Sequence, residues 1–288
     1  MPTLFCFGLS YSAAALITQL RCLGAGWSFA GTCRDPQRAA AWAAEGVTVH
    51  PLTGGWAEIT PAVLAEADHL LISVPPDGDG DPVARACQAA ILARPRRWVG
   101  YLSTIGVYGD RQGGWIDEET PLVPRSDRAM RRVLAEQDWL RLHDAHGLPV
   151  HLFRLAGIYG PGRSLLDDIR AGTAQQIVKP GQYFNRIHVD DIAQTLAASI
   201  TAPRAGRVYN VCDDEPAESA TVFAEACALL GVPLPPAKRF EDAILSPMAR
   251  QFWADNRRVR NTRLRQELGV SLLAPTYREG LRRLQMQE

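Results

Sequence analysis

Thr3-Leu4-Phe5-Cys6-Phe7-Gly8-Leu9-Ser10-Tyr11-Ser12-Ala13 opens the chain with a short apolar run, one glycine and the first residues of a helical pattern that continues to Leu23. This is a strand, a tight turn and a helix. The alternation then repeats. Apolar runs at Trp27–Cys33, Val47–Leu52, His69–Val74 and Arg97–Ser103 read as strands, with helical patterns between them. Asp35-Pro36 sets an N-cap and a first-turn proline ahead of a helix to Glu45. Pro61–Ala67 reads as a short helix, and Pro82 starts another after the loop Pro75–Asp81. Strands that are nearly continuous apolar runs belong to a parallel sheet covered on both faces.

Ser126–His146 is a long helical stretch stopped by Gly147-Leu148-Pro149, and Val150–Leu155 is a sixth strand. Strands at Arg186–Val189 and Arg207–Val211 flank a helix over Asp191–Ile200, and from Asp213 onward prolines cluster and helices dominate. The expected fold is a Rossmann-type, doubly wound parallel α/β sheet with a smaller, mostly helical C-terminal lobe. Residues 1–156, with 186–212 returning to them, form the expected dinucleotide-binding domain; 157–185 and 213–288 form the expected substrate lobe.

Composition narrows the function. The 288 residues carry 31 Lys+Arg against 31 Asp+Glu, 47% hydrophobic and 22% charged residues, as ordinary globular proteins do. Zero net charge gives no field to gather phosphates, so neither nucleic acid nor an anionic membrane is an expected partner. A small molecule is. The six cysteines contain no C-x-x-C pair and suit a reducing cytoplasm. Met1–Leu20 lacks a positive n-region and is interrupted by Ser10, Tyr11, Ser12, Thr18 and Gln19, so it reads as core and not as a secretory signal.

Two features point to a dinucleotide. Gly8-Leu9-Ser10-Tyr11-Ser12-Ala13 is a degenerate G-x-G-x-x-A in which Gly8 makes the turn, Ser10 stands at the close-approach position and Ala13 lets helix pack on strand. The Ser10 hydroxyl is a candidate donor to a phosphate at the helix N-terminus. At the end of the second strand, where NAD proteins place a carboxylate for the ribose, stands Arg34, which can pair with a 2′-phosphate. NADP is therefore preferred over NAD.

Tyr101-Leu102-Ser103-Thr104-Ile105-Gly106-Val107-Tyr108-Gly109, Arg154-Leu155-Ala156-Gly157-Ile158-Tyr159-Gly160-Pro161-Gly162 and Arg186-Ile187-His188-Val189-Asp190-Asp191-Ile192 together resemble the extended short-chain dehydrogenase/reductase family, the NAD-dependent epimerase/dehydratase group. The resemblance implies a Rossmann domain binding NAD(P) through Gly8, Ser10, Tyr11, Arg34, Val74, Pro75, Ser103, Arg132, Leu155, Ala156 and Ile158. It implies a lobe closing over a substrate, often a nucleotide-sugar, and Thr104 at the place of the family's catalytic Ser/Thr. It also implies pairing of two copies through a two-helix face, for which the helix from Ser126 is the candidate and its arginines the counter-argument.

The departure is in the next motif. Where the family carries Tyr-x-x-x-Lys, this chain has Arg128 and Arg132. An arginine is not deprotonated in a protein, so Arg128 is no acid/base and the family's standard proton transfer is closed. Arg132 can replace lysine as a cation near the nicotinamide ribose, and Arg128 with Thr104 would suit an anion. The pattern is similar to the atypical, YeeZ-like branch of the family. Tyr108, Tyr159, Tyr183, His188 and Asp117-Glu118-Glu119 are substitute acid/base candidates, each with a structural reading beside it. The expectation is a divergent NADP-dependent oxidoreductase or epimerase-like enzyme; the alternatives are an NADP(H) sensor without turnover and a scaffold binding no nucleotide. The last rests on Ser10 and on Pro51-Leu52-Thr53-Gly54, which lacks the aspartate the family often offers to adenine.

No metal is expected. Asp77-Gly78-Asp79-Gly80-Asp81 begins like a calcium loop, but Pro82 and Gln88 occupy the required Gly and Glu positions, so it reads as a flexible acidic loop. His143 and His146 have no completing ligand and read as surface residues. The basic run Arg257–Arg265 reads either as a diphosphate contact or as a strand followed by a solvated helix.

Overall fold

The computed structural model describes residues 1–24 and 26–287; Glu288, the last residue of the expected lobe, lies outside them. Along the chain, β1 (Thr3–Phe7) leads through the Gly8 turn into α1 (Tyr11–Cys22) and β2 (Ser28–Cys33). Asp35 caps α2 (Pro36–Ala44) through Gln37 and Arg38 N–H groups, as its place before proline dictates, and β3 (Thr48–Pro51) follows. Next come β4 (His69–Ile72), the short helices α3 (Pro82–Ala86) and α4 (Gln88–Leu92), β5 (Trp98–Thr104), β6 (Trp115–Ile116) and the long α5 (Asp127–His146). Then β7 (Val150–Leu155), β8 (Gly157–Tyr159), α6 (Leu165–Arg170), β9 (Ile177–Val178), β10 (Arg186–His188), α7 (Val189–Thr201) and β11 (Val208–Val211). The chain closes with α8 (Ser219–Leu230), β12 (Lys238–Arg239), α9 (Pro247–Phe252), β13 (Arg258–Val259), α10 (Thr262–Leu268) and α11 (Tyr277–Met286).

Seven strands form the main sheet in the order β11-β7-β5-β4-β1-β2-β3. The pairs β1–β2, β2–β3, β1–β4 and β4–β5 are parallel, with Phe5 opposite both Ala30 and Leu70. The chain runs outward from β1 to β3 and then jumps back to β4, so the winding reverses between β1 and β4. That is the Rossmann-type, doubly wound order, and its switch point lies at the carboxyl ends of β1 and β4. Phe5, Phe7, Leu70, Ile72, Val99, Tyr101 and Leu152 build one buried cluster with Val83, Ile91 and Trp139.

The chain divides into two compact units. Among the described residues, the first holds Met1–Thr104, Asp127–Arg154 and Ile192–Tyr209; the second holds Ile105–Ser126, Leu155–Asp191 and the chain from Asn210 onward. Within the second, Tyr159, Leu166, Val222, Ala226, Tyr277, Leu281 and Leu284 form a core of their own. Here β10 pairs with β8 in a separate two-stranded sheet.

The helix expected at Pro61–Ala67 is a series of turns. The buried Arg96 guanidinium takes the carbonyls of Leu64 and Ala67 at 2.8 and 2.6 Å, and those of Ile91 and Ala90 at 2.9 Å each. Carbonyls engaged by a side chain need no continuing helix to satisfy them. No helix of the described residues is long and apolar enough to cross a membrane.

One buried charge pair ties the first unit together. Glu136 of α5 receives Nη2 of Arg154 at 2.7 Å and the Ser103 hydroxyl at 2.5 Å, joining α5 to the ends of β5 and β7. All three residues are buried. Removing one member leaves the opposite charge unpaired in the interior, so Glu136→Ala is expected to cost about 3–5 kcal/mol in urea unfolding. A loss under about 1 kcal/mol, the size of an exposed pair, would contradict this assignment.

Candidate active site: a cavity at the switch point

A cavity of about 720 Å³ opens where β1, β2 and β4 end, within the first unit. Gly8 is its floor. Its N–H donates to Thr32 Oγ1 at 2.8 Å, its carbonyl accepts from Ser73 Oγ at 2.7 Å, and its φ is +87°. A Cβ at Gly8 would lie 2.9 Å from Val74 Cγ1, so both space and backbone conformation exclude a side chain. Ser10 caps α1 by accepting the Ala13 N–H at 3.2 Å, which leaves its own hydroxyl hydrogen for another acceptor.

Of the expected cofactor residues, Gly8, Ser10, Arg34, Val74 and Pro75 all line this cavity. Arg34 is exposed and makes no ion pair or side-chain hydrogen bond among the described residues. Among the lining residues that the sequence reading did not single out are Arg38, Trp56 and Arg85. Arg38 donates from Nη2 to the Leu9 carbonyl at 2.9 Å, which draws it over the glycine turn. Arg85 makes a two-point pair with Asp77 at 2.9 and 2.7 Å and thereby holds the Asp77 carboxyl below the usual carboxylate range. A spacing of four from Arg34 was the available signal for Arg38; no sequence signal joins Trp56 or Arg85 to the turn.

The other expected residues stand elsewhere. Tyr11 starts α1 and is not among the lining residues. Ser103 is buried with its hydroxyl on Glu136, so as it stands it is a support and offers no donor to a ligand. Thr104 ends β5, half-buried, and Arg128 is exposed in the first turn of α5. Arg132 spends Nη1 on the Leu102 carbonyl at 2.8 Å and on Tyr101 Oη at 3.1 Å. Leu155, Ala156 and Ile158 belong to the second unit, where Ala156 N–H donates to Val211 and Ile158 pairs with Ile187.

The substitute acid/base candidates fall mostly to structural work. Tyr108 Oη donates to Asn210 Oδ1 at 2.7 Å, and both are buried. Asp117 closes its own turn with Glu119 N–H and Thr120. Glu118, pushed up by burial, accepts the Asn210 N–H at 2.8 Å. His188 is buried, held below its ordinary pKa by desolvation, and its Nδ1 accepts the Asp190 N–H at 3.2 Å. Tyr159 packs its ring against that of His188, and desolvation by burial raises its phenol pKa further from neutrality. The Tyr183 ring lies under Arg258.

The basic run is β13 followed by α10, and Arg257 and Arg258 are spent on the carbonyls of Gly109 and Gly113. His143 is half-buried with Nδ1 at 2.8 Å from the Leu148 carbonyl, which corrects its reading as a plain surface residue. No group of three or more His, Cys, Asp or Glu among the described residues could hold a metal ion.

Asp77–Asp81 is not a flexible loop either. Asp77 N–H bonds the Gly80 carbonyl, and fully buried Asp81 caps α3 through Val83 and Ala84 N–H groups at 2.9 Å each. Burial outweighs those bonds and pushes the Asp81 carboxyl up to about 6. The folded state therefore binds this proton more tightly than the unfolded chain. Its contribution to stability is present below the usual aspartate range and is lost as pH rises through about 6. Asparagine keeps the capping oxygen without the charge, so Asp81→Asn should gain on the parent by about 3 kcal/mol between pH 3 and 7. Parallel urea midpoints for the two proteins across that range would refute the assignment.

Known proteins share parts of this sequence and this fold. Residues 82–212 match the NAD dependent epimerase/dehydratase family. The chain is 32% identical to the protein YeeZ of Escherichia coli (strain K12) over 181 residues, 60% of this chain; the match spans 62% of YeeZ, so the chain covers about three fifths of that relative's length. A structure of a functionally unknown conserved protein from Silicibacter pomeroyi DSS superposes with a TM-score of 0.92 at 49% identity, covering 100% of this chain and 99% of that one. The dTDP-glucose 4,6-dehydratase of Bacillus anthracis, in complex with NAD, shares the fold with a TM-score of 0.81 at 15% identity, covering 99% of this chain and 96% of that one.

Proposed function

Because this chain belongs to the extended short-chain dehydrogenase/reductase family of NAD-dependent epimerases and dehydratases, we propose that the switch-point cavity takes a nicotinamide dinucleotide and prefers NADP over NAD. The observation that carries this reading is Arg34, an unengaged guanidinium on the wall of a cavity whose floor admits only glycine. The N-terminus of α1 offers N–H groups and a favourable dipole to a pyrophosphate. Arg34, with Arg38 four residues on, offers charge to a 2′-phosphate.

The protein is on this reading a divergent NADP-dependent oxidoreductase or epimerase-like enzyme. A bound nicotinamide supplies hydride transfer; the chain's own part is to hold the cofactor and orient the reacting oxygen. Thr104 is the proposed hydrogen-bond partner of that oxygen, and Arg128 and Arg132 supply positive charge where the family has Tyr and Lys. The proposed substrate is small and anionic or nucleotide-sugar-like, held by the lobe of residues 157–185 and 213–288. Six free cysteines, five of them buried, favour a cytoplasmic setting. Met130 and Leu134, exposed one turn apart on α5, favour a homodimer through that helix. A second reading, an NADP(H) sensor without turnover, is favoured by the engagement of Arg132 with Leu102 and by the missing tyrosine.

Calorimetric titration tests the cofactor reading. Arg34→Ala should weaken NADPH binding by about 1.5–3 kcal/mol, the value of a charged hydrogen bond, and leave NADH binding unchanged. Equal losses for both nucleotides would remove the 2′-phosphate assignment. Between enzyme and sensor, hydride exchange across carbonyl compounds and nucleotide-sugars decides: turnover abolished by Thr104→Ala supports the enzyme, and binding with no exchange across the panel supports the sensor.

A further inference from the structure

We propose that Trp56 is the wall on which the cofactor's purine stacks, and that this site consequently tolerates a change of base. The inference rests on the reading of the cavity as a dinucleotide site. Trp56, Leu52, Val74 and Ala86 contribute to the cavity's apolar lining, and Trp56 is the sole aromatic among its described lining residues. Its side chain is half-buried, with the ring 6.2 Å from that of Phe7.

Trp56 is firmly placed. It begins a single 3-10 turn over Trp56–Glu58, and its carbonyl accepts Cys87 Sγ at 3.4 Å. The turn is closed by the Glu58 carboxylate, which receives Thr53 N–H and Thr53 Oγ1 at 3.2 Å each and Gly54 N–H at 2.6 Å. The amides following β3 are thus already taken and cannot read a base. Of the lining carboxylates, Asp77 takes Arg85 and the Asp79 N–H on its two oxygens, and Asp35 takes the Gln37 and Arg38 N–H groups on Oδ1. A purine's face meets an indole, whereas the lining carboxylate oxygen left without a donor among the described residues, Asp35 Oδ2, sits on the residue that caps α2. Stacking on an aromatic is base-tolerant, because every base has a π-face.

The test is equilibrium binding of NADPH and of reduced nicotinamide hypoxanthine dinucleotide phosphate to the full chain and to Trp56→Phe and Trp56→Leu. Leucine fills space without stacking, and phenylalanine keeps the stack and controls for folding. The parent should bind the two dinucleotides within about threefold of each other, Trp56→Leu should weaken both by about tenfold, and Trp56→Phe should stay within about threefold of the parent. A preference above tenfold for adenine in the parent, or unchanged binding by Trp56→Leu, overturns the inference and leaves the dinucleotide reading intact. Failure of the parent to bind either dinucleotide overturns both.

Discussion

Everything near the site depends on the backbone of Gly8. Its N–H is held by β2 through Thr32, its carbonyl by the end of β4 through Ser73, and the positive φ turns the chain out of the sheet into α1. Three strand ends are thereby fixed around one residue without a side chain. Parallel strands cannot be joined by tight hairpins, so the helices they need lie over the sheet and the strand ends stay open. The reversal of winding between β1 and β4 leaves the crevice, and the Gly8 turn floors it.

On that frame the charges divide into those that hold the fold and those left for a ligand. Arg96 is consumed by four carbonyls, Arg154 by Glu136, and Arg257 and Arg258 by loop carbonyls. Arg85 is offset by Asp77. Arg34 is held by nothing comparable among the described residues, and it stands on the cavity wall. In a chain of zero net charge, an unengaged cation at such a place is a local selection for an anion and not part of a general field. By the same accounting Arg132 is already bonded to the Leu102 carbonyl of β5, and an arginine such as Arg128 cannot lose a proton.

The sheet was legible because its strands are apolar runs bounded by glycine, proline and aspartate, and Asp35-Pro36 fixed α2 by capping chemistry alone. Pro61–Ala67 misled because the residue that breaks it, Arg96, lies some thirty positions away in sequence. Gly8, Ser10, Arg34, Val74 and Pro75 were readable since they sit at strand ends. Trp56 and Arg85 were not, since only folding brings them to the cavity. Ser103 misled in the opposite sense: its motif was visible, but its hydroxyl turns inward to a glutamate 33 residues later. The loop Asp77–Asp81 looked mobile by composition, whereas the Asp77 carboxylate is spent on Arg85 and the Asp81 carboxylate on capping α3.

A crystal structure of the protein grown with NADP⁺ tests the central claim most directly. The account predicts the pyrophosphate over the Gly8–Ser10 turn and the 2′-phosphate within hydrogen-bond distance, about 2.7–3.2 Å, of the Arg34 guanidinium. A dinucleotide bound elsewhere, or one whose 2′-phosphate points away from Arg34 into solvent, would contradict it.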